Sequence, residues 1–203
     1  MLVCPPPQNI KPFTVAQLTL AHVLALRLYT SPVFSSLNNP LRQFKRDEKG
    51  DFELPLQMEK PHNFPLTISY IDDGIRKLRA VDAAKLSSAN ESIGELQDDV
   101  VLWRGMRDIK VSDEFGSYGG VELAPMSTSY SLDTAIHYAL KGDVNIIFRI
   151  VSASFMERGA NIEYLSSFPR EQECLFPPFT FLSPTGRSQR IGPILIVEVT
   201  PRL

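Results

Sequence analysis

The feature that most constrains this chain is a change of rhythm near residue 98. Before it, apolar residues recur at helical spacing over long stretches. After it, apolar runs are short, β-branched and punctuated by Gly, Pro, Ser and Asp, the pattern of strands separated by turns. Helices first and strands afterwards do not build an alternating parallel α/β fold. They segregate, and the expected class is α+β.

The helical part is expected over 14–90. Thr14 to Tyr29 reads as a first helix, with Thr14 as N-cap and Leu18, Ala21, Ala25 and Leu28 at helical spacing. Pro32 ends it, and a second helix is expected from Val33 to Phe44. Leu66 to Leu86 reads as a third, with Ile68, Ile71, Ile75 and Leu78 in one row and Gly74 as its weak point. The β-rich part, 98–203, offers strands at 100–104, 122–127, 145–151, 173–176, 180–182 and 191–200. One short helix, Leu132 to Leu140, has Ser131 as N-cap and Asp133 in its first turn. Residues 1–13, with Pro5, Pro6, Pro7 and Pro12, read as an extended lead-in. The remainder, 14–203, is expected to be one domain.

With 43% hydrophobic and 22% charged residues, the chain is patterned to fold. A net charge of −2 does not suit a general nucleic-acid binder. Two cysteines, Cys4 and Cys174, cannot make a disulfide framework. With three histidines and no HExxH or CxxC, no metal is expected. The apolar stretch Val15–Leu28 is interrupted by Gln17, Thr19, His22 and Arg27, so no membrane span is expected, nor a signal peptide.

Three motifs can carry chemistry. In Leu102-Trp103-Arg104-Gly105 an apolar strand ends in an arginine and a glycine. A guanidinium there can grip a phosphate bidentately, and the glycine lets a ligand approach the backbone. The plain alternative is a solvated arginine before a turn. In Met126-Ser127-Thr128-Ser129-Tyr130-Ser131, alternation puts Ser127 and Ser129 on one face and Thr128 on the other. The alternative is a polar strand end leading into a cap. In Glu171-Gln172-Glu173, two carboxylates point the same way if the backbone is extended. Such a pair is costly unless both have partners or work, and it suits chemistry that builds positive charge. An acidic strand edge is the alternative.

In this order the motifs resemble the R-S-E class of ADP-ribosyltransferases, close to its eukaryotic arginine-specific branch. Arg104, Ser127-Thr128-Ser129 and Glu171-Gln172-Glu173 match its arginine, Ser-Thr-Ser strand and Glu-x-Glu, at separations of 23 and then 46 residues. Glu173-Cys174-Leu175-Phe176-Pro177-Pro178-Phe179 is similar to the family's Glu-Val-Leu-Ile-Pro-Pro-Phe. Leu26-Arg27-Leu28-Tyr29-Thr30 and Leu37-Asn38-Asn39-Pro40-Leu41-Arg42 resemble its helical N-terminal part. The resemblance implies that fold, with N-terminal helices packed on a two-sheet mixed β core.

It also implies transfer of ADP-ribose from NAD, as substrate, to the arginine of a protein acceptor, with release of nicotinamide and no metal. NAD cleavage with water as acceptor, and a catalytically silent binding module, are the rival readings. Glu173 would face the electron-poor ribose and Ser127 would orient it. Arg104 would hold the pyrophosphate, and the Gly105 backbone would meet the nicotinamide carboxamide. Glu171 would bind the acceptor guanidinium and take its proton. Thr128, Ser129 and Tyr130 complete the expected NAD surface, and Phe168 the acceptor surface. His137, Trp103 and Cys174 are read as structural. Secreted vertebrate members carry a signal and a pair of disulfides. Neither is read here, so action in the cytoplasm or as a delivered effector is expected; separately, a monomer without a nucleic-acid partner is expected.

Overall fold

In the computed structural model, which describes residues 16–42, 45–46, 52–53, 62–90, 99–107, 111–142 and 144–203, the helices come first and the sheet after. The proline-rich lead-in and the predicted cap at Thr14 lie outside the described residues. Helix α1 (Leu20–Tyr29) starts later than predicted, and Gln17 just before it is left-handed at φ 50°. Its first turn is closed by the Thr19 backbone N–H, which donates to His22 Nδ1 at 3.1 Å. The buried stripe is His22, Ala25, Leu26 and Tyr29, rotated from the predicted row; Leu28 is 37% exposed. Helix α2 (Phe34–Leu41) carries Pro40 in its last turn and stops before the predicted Phe44. A two-residue pair, β1 (Lys45–Arg46) and β2 (Phe52–Glu53), precedes α3 (Pro65–Asn90). Helix α3 buries Ile71, Ile75 and Leu78 as predicted. Gly74 is where α1 crosses closely, because a Cβ there would lie 3.0 Å from Leu26 Cδ1.

Eight strands form the main sheet: β3 (Val100–Arg107), β4 (Gly120–Glu122), β5 (Met126–Ser129), β6 (Asn145–Ser152), β7 (Ala160–Asn161), β8 (Glu173–Phe176), β9 (Thr180–Ile191) and β10 (Ile194–Arg202). Their order is β4-β9-β10-β6-β3-β5-β8-β7. Strand β10 runs parallel to β6, and the other neighbours are antiparallel. The sheet has a seam. Strand β3 meets β5 through one residue pair, Trp103 opposite Ser129, whereas β3 and β6 pair along their full length. The main strands thus form one continuous sheet rather than the two expected, narrowed to a single residue pair at this seam.

Three apolar layers hold the halves together. Leu26, Leu37, Ile71 and Ile75 of the helices pack on Leu175 of β8. One residue either way, Cys174 and Phe176 point to the opposite face and meet Leu102, Ile150 and Val199 of the larger half. Helix α5 (Leu132–Ala139) covers Ile147 from outside through Ala135 and Ala139. Helix α4 (Asp113–Tyr118), capped by Ser112 Oγ accepting from the Phe115 N–H, was not predicted. Among the described residues no helix is long and apolar enough to cross a membrane.

Candidate active site

The seam opens into a cavity of about 350 Å3, within the roughly 300–1,000 Å3 range of small-molecule sites. Its walls come from both halves of the sheet and from α1, α2 and α5. Strand β3 supplies Trp103, Arg104 and Gly105; β5 supplies Ser127, Thr128 and Ser129; Glu171 and Glu173 enter from before and at the start of β8.

Glu173 is buried, and its Oε1 accepts from Ser127 Oγ at 2.6 Å. Burial pushes its carboxyl up from the ordinary value. The Ser127 bond pulls it down, Glu171 pushes it up again, and Ser166 adds a second lowering hydrogen bond. Glu171 arrives differently from the sequence expectation. It ends a 3-10 turn (Pro169–Glu171), and Gln172 is left-handed at φ 47°. The backbone is therefore not extended between the two glutamates. They still share the cavity because Ser129 Oγ donates to the Glu171 carbonyl at 2.6 Å and Tyr138 Oη donates to Glu171 Oε1 at 2.8 Å.

Across the cavity, Arg104 is committed on two sides. Its Nη1 donates to the Ser127 carbonyl at 2.7 Å and its Nη2 to Glu122 Oε2 at 3.3 Å. Glu122 also takes Arg42, through Nε at 3.0 Å and Nη2 at 3.1 Å. One carboxylate thus gathers two guanidinium groups. Burial draws the Arg104 guanidinium below its usual value, and Glu122 draws it back up. Tyr29 Oη donates to the Pro125 carbonyl at 2.8 Å and accepts from Asn38 Nδ2 at 3.0 Å. Burial pushes that phenol up to about 12, so it stays protonated. The arrangement offers a buried carboxylate for a developing cation, the Arg104 guanidinium for an anion, and a second carboxylate toward the outside.

Arg104, Gly105, Ser127, Thr128, Ser129, Phe168, Glu171 and Glu173 all line this one cavity. Tyr130 does not. Its side chain hydrogen-bonds Cys174 on the other face of the sheet, one residue beyond Ser129 in the alternation. Thr128 Oγ1 donates to the Cys174 carbonyl at 2.7 Å, so its hydroxyl braces β5 against β8. Phe168 is 50% exposed at the mouth. Gly105 has a reason other than ligand approach: a Cβ there would lie 1.9 Å from the Ala135 carbonyl oxygen, so α5 can sit on β3 only over glycine. Trp103, read as core, lines the cavity as well as packing under α5. Cys174 is buried, and burial pushes its thiol up to about 12. His137 is exposed on α5, edge-on to Tyr138.

Three residues were missed. Glu122 stands 80 and 18 positions from its two arginines, and nothing local marks it. Tyr138 lies one turn past Thr134 on a helix whose cavity-facing side becomes visible only once α5 is seated on Gly105. Tyr29 was read only as part of an N-terminal likeness. Among the described residues no group of His, Cys, Asp and Glu is arranged to hold a metal ion.

No protein-family model matches the sequence, and no curated protein matches it significantly. Solved structures do match. The ADP-ribosyltransferase HopU1 of Pseudomonas syringae pv. tomato superposes with a TM-score of 0.63 at 18% identity, over 89% of this chain and 76% of that one. Plx2a, an ADP-ribosyltransferase toxin from Paenibacillus larvae, gives 0.61 at 18% identity, over 95% and 92%. The ADP-ribosyltransferase Vis from Vibrio splendidus, solved in complex with agmatine, gives 0.60 at 16% identity, over 98% and 88%. The chain has the ADP-ribosyltransferase fold.

Proposed function

We propose that this chain is an NAD-dependent mono-ADP-ribosyltransferase that modifies arginine on a protein acceptor and releases nicotinamide. One observation carries the reading: Glu173, a buried carboxylate held by Ser127 Oγ at 2.6 Å, lines the cavity that also receives Arg104 and Glu171. The fold shared with ADP-ribosyltransferases supports it.

Nicotinamide leaves NAD as a neutral molecule from a cationic ring, so no acid has to protonate it. The barrier lies in the oxocarbenium-like ribose. Fixed negative charge beside that centre lowers it, because the charge is in place before the bond stretches. Glu173 supplies that charge, and Ser127 fixes its direction. Arg104 supplies a cation for the pyrophosphate, held in place by Glu122, which also binds Arg42. Glu171 binds the acceptor guanidinium and takes a proton from it as its nitrogen attacks the ribose carbon. That proton transfer is needed because a protonated guanidinium is a poor nucleophile. Agmatine, the ligand of Vis, carries this same group, which supports an arginine-like acceptor here.

The test is incubation with labelled NAD and agmatine. The expected products are nicotinamide and ADP-ribosyl-agmatine. Glu173→Ala is expected to lose both, and Glu171→Ala to lose the adduct while keeping some free ADP-ribose. Free ADP-ribose alone from the unaltered protein would assign water as the acceptor. No nicotinamide at all would leave the fold without this chemistry.

A further inference from the structure

We infer that Tyr138 is a positioning residue for the acceptor side of the site, aiming the Glu171 carboxylate at the incoming guanidinium without acting on NAD. The inference deepens the reading above and rests on it. Glu171 sits on a short turn outside the sheet, so strand pairing does not fix its side chain. Its main chain is held by Ser129 Oγ, and its carboxylate by Tyr138 Oη at 2.8 Å. The phenol occupies Oε1 and leaves Oε2 for a second partner. Tyr138 comes from α5, which is seated rigidly on β3 over Gly105. A donor on a rigid element thereby orients an acceptor on a loop.

The phenol is suited to that duty. Burial first, and the Glu171 carboxylate second, push it up to about 12, so it remains a donor throughout the neutral range. Lys141 Nζ lies 4.5 Å above the ring and holds its face. Tyr138 makes its hydrogen bond to Glu171 and feels Glu173 only through its charge, while the hydrogen bonds of Glu173 run to Ser127 and Ser166. The two carboxylates of the site therefore have separate supports: Ser127 for Glu173, Tyr138 for Glu171.

Tyr138→Phe removes the hydroxyl and keeps the ring, its packing and the Lys141 contact. With labelled NAD and agmatine, the KM for agmatine is expected to rise about tenfold, the usual scale for one lost hydrogen bond to a charged group. The KM for NAD is expected to change much less than the KM for agmatine, since the hydrogen bond that is lost runs to Glu171 and not to Glu173 or Ser127. The ratio of adduct to free ADP-ribose at fixed agmatine is the decisive number. It does not depend on how much of the variant folds, so a merely structural defect cannot mimic the effect. An unchanged ratio in Tyr138→Phe, with the unaltered protein transferring normally, overturns this inference alone. Absence of adduct from the unaltered protein overturns the arginine reading, and this inference with it.

Discussion

Replacing Glu173 with Gln should abolish nicotinamide release and make the protein more stable. Burial raises the carboxyl from its ordinary value, Glu171 adds repulsion, and the hydrogen bonds from Ser127 and Ser166 only partly offset both. The folded state therefore disfavours the charge relative to the unfolded chain. A carboxyl raised on folding contributes its full stability in acid, below the unfolded value of roughly 4.3, and loses it as pH rises through the folded value. Gln keeps the shape and an acceptor oxygen for Ser127, and carries no charge. The gain at neutral pH should be about 1–2 kcal/mol, within the usual range of a single stabilising substitution. For a chain of this length that is about 2–8 °C in Tm. Thermal melts of both proteins from pH 4 to pH 8 would show it. The difference should be near zero at the acid end and grow with pH. A Gln variant that melts lower than its parent at neutral pH, or that keeps the same gain in acid, would refute the reasoning.

Ser127→Ala removes the bond that holds the Glu173 carboxyl down, so the acid limb of nicotinamide release should move to higher pH, read from a rate–pH profile. Glu122→Ala separates Arg42 and Arg104 from their shared carboxylate; the KM for NAD should rise about tenfold while the KM for agmatine holds, by initial-rate kinetics. Gly105→Ala drives a Cβ into the Ala135 carbonyl; α5 must lift, and urea unfolding should show a loss of about 1–3 kcal/mol.

Much of this architecture was legible in the sequence, and the failures have physical reasons. Asn145–Ser152 announces itself by a β-branched apolar run because it is buried along most of its length, and Glu173–Phe176 is buried at every position. The stretch Ser183–Arg190 of β9 is polar and was not read as a strand; β10 pairs with it while most of its side chains stay in solvent. The strand predicted over 122–127 is broken, with Pro125 standing between β4 and β5. The order of Arg104, Ser127, Glu171 and Glu173 pointed to one site through its resemblance to the R-S-E class, and the four residues line one cavity. Glu122 and Tyr138 escaped because their meaning lies in partners far along the chain: the bond to Glu171 spans 33 positions. Tyr130, just past the end of the strand, turns its side chain to Cys174 rather than into the cavity that Ser129 lines.

The seam between β3 and β5 bears on how variants at position 104 are to be interpreted. Trp103 and Ser129 are the one residue pair joining the strands there, and the Arg104 side chain adds a second tie by bonding the Ser127 carbonyl. That guanidinium is masonry as well as a recognition group. Truncating it untethers the strand that presents Ser127 to Glu173, so catalysis would fall even if the donor molecule bound elsewhere as before. An inactive Arg104→Ala protein is thus ambiguous evidence for diphosphate recognition, and Lys at 104, which keeps a cation but gives up the fork, separates the two duties more cleanly.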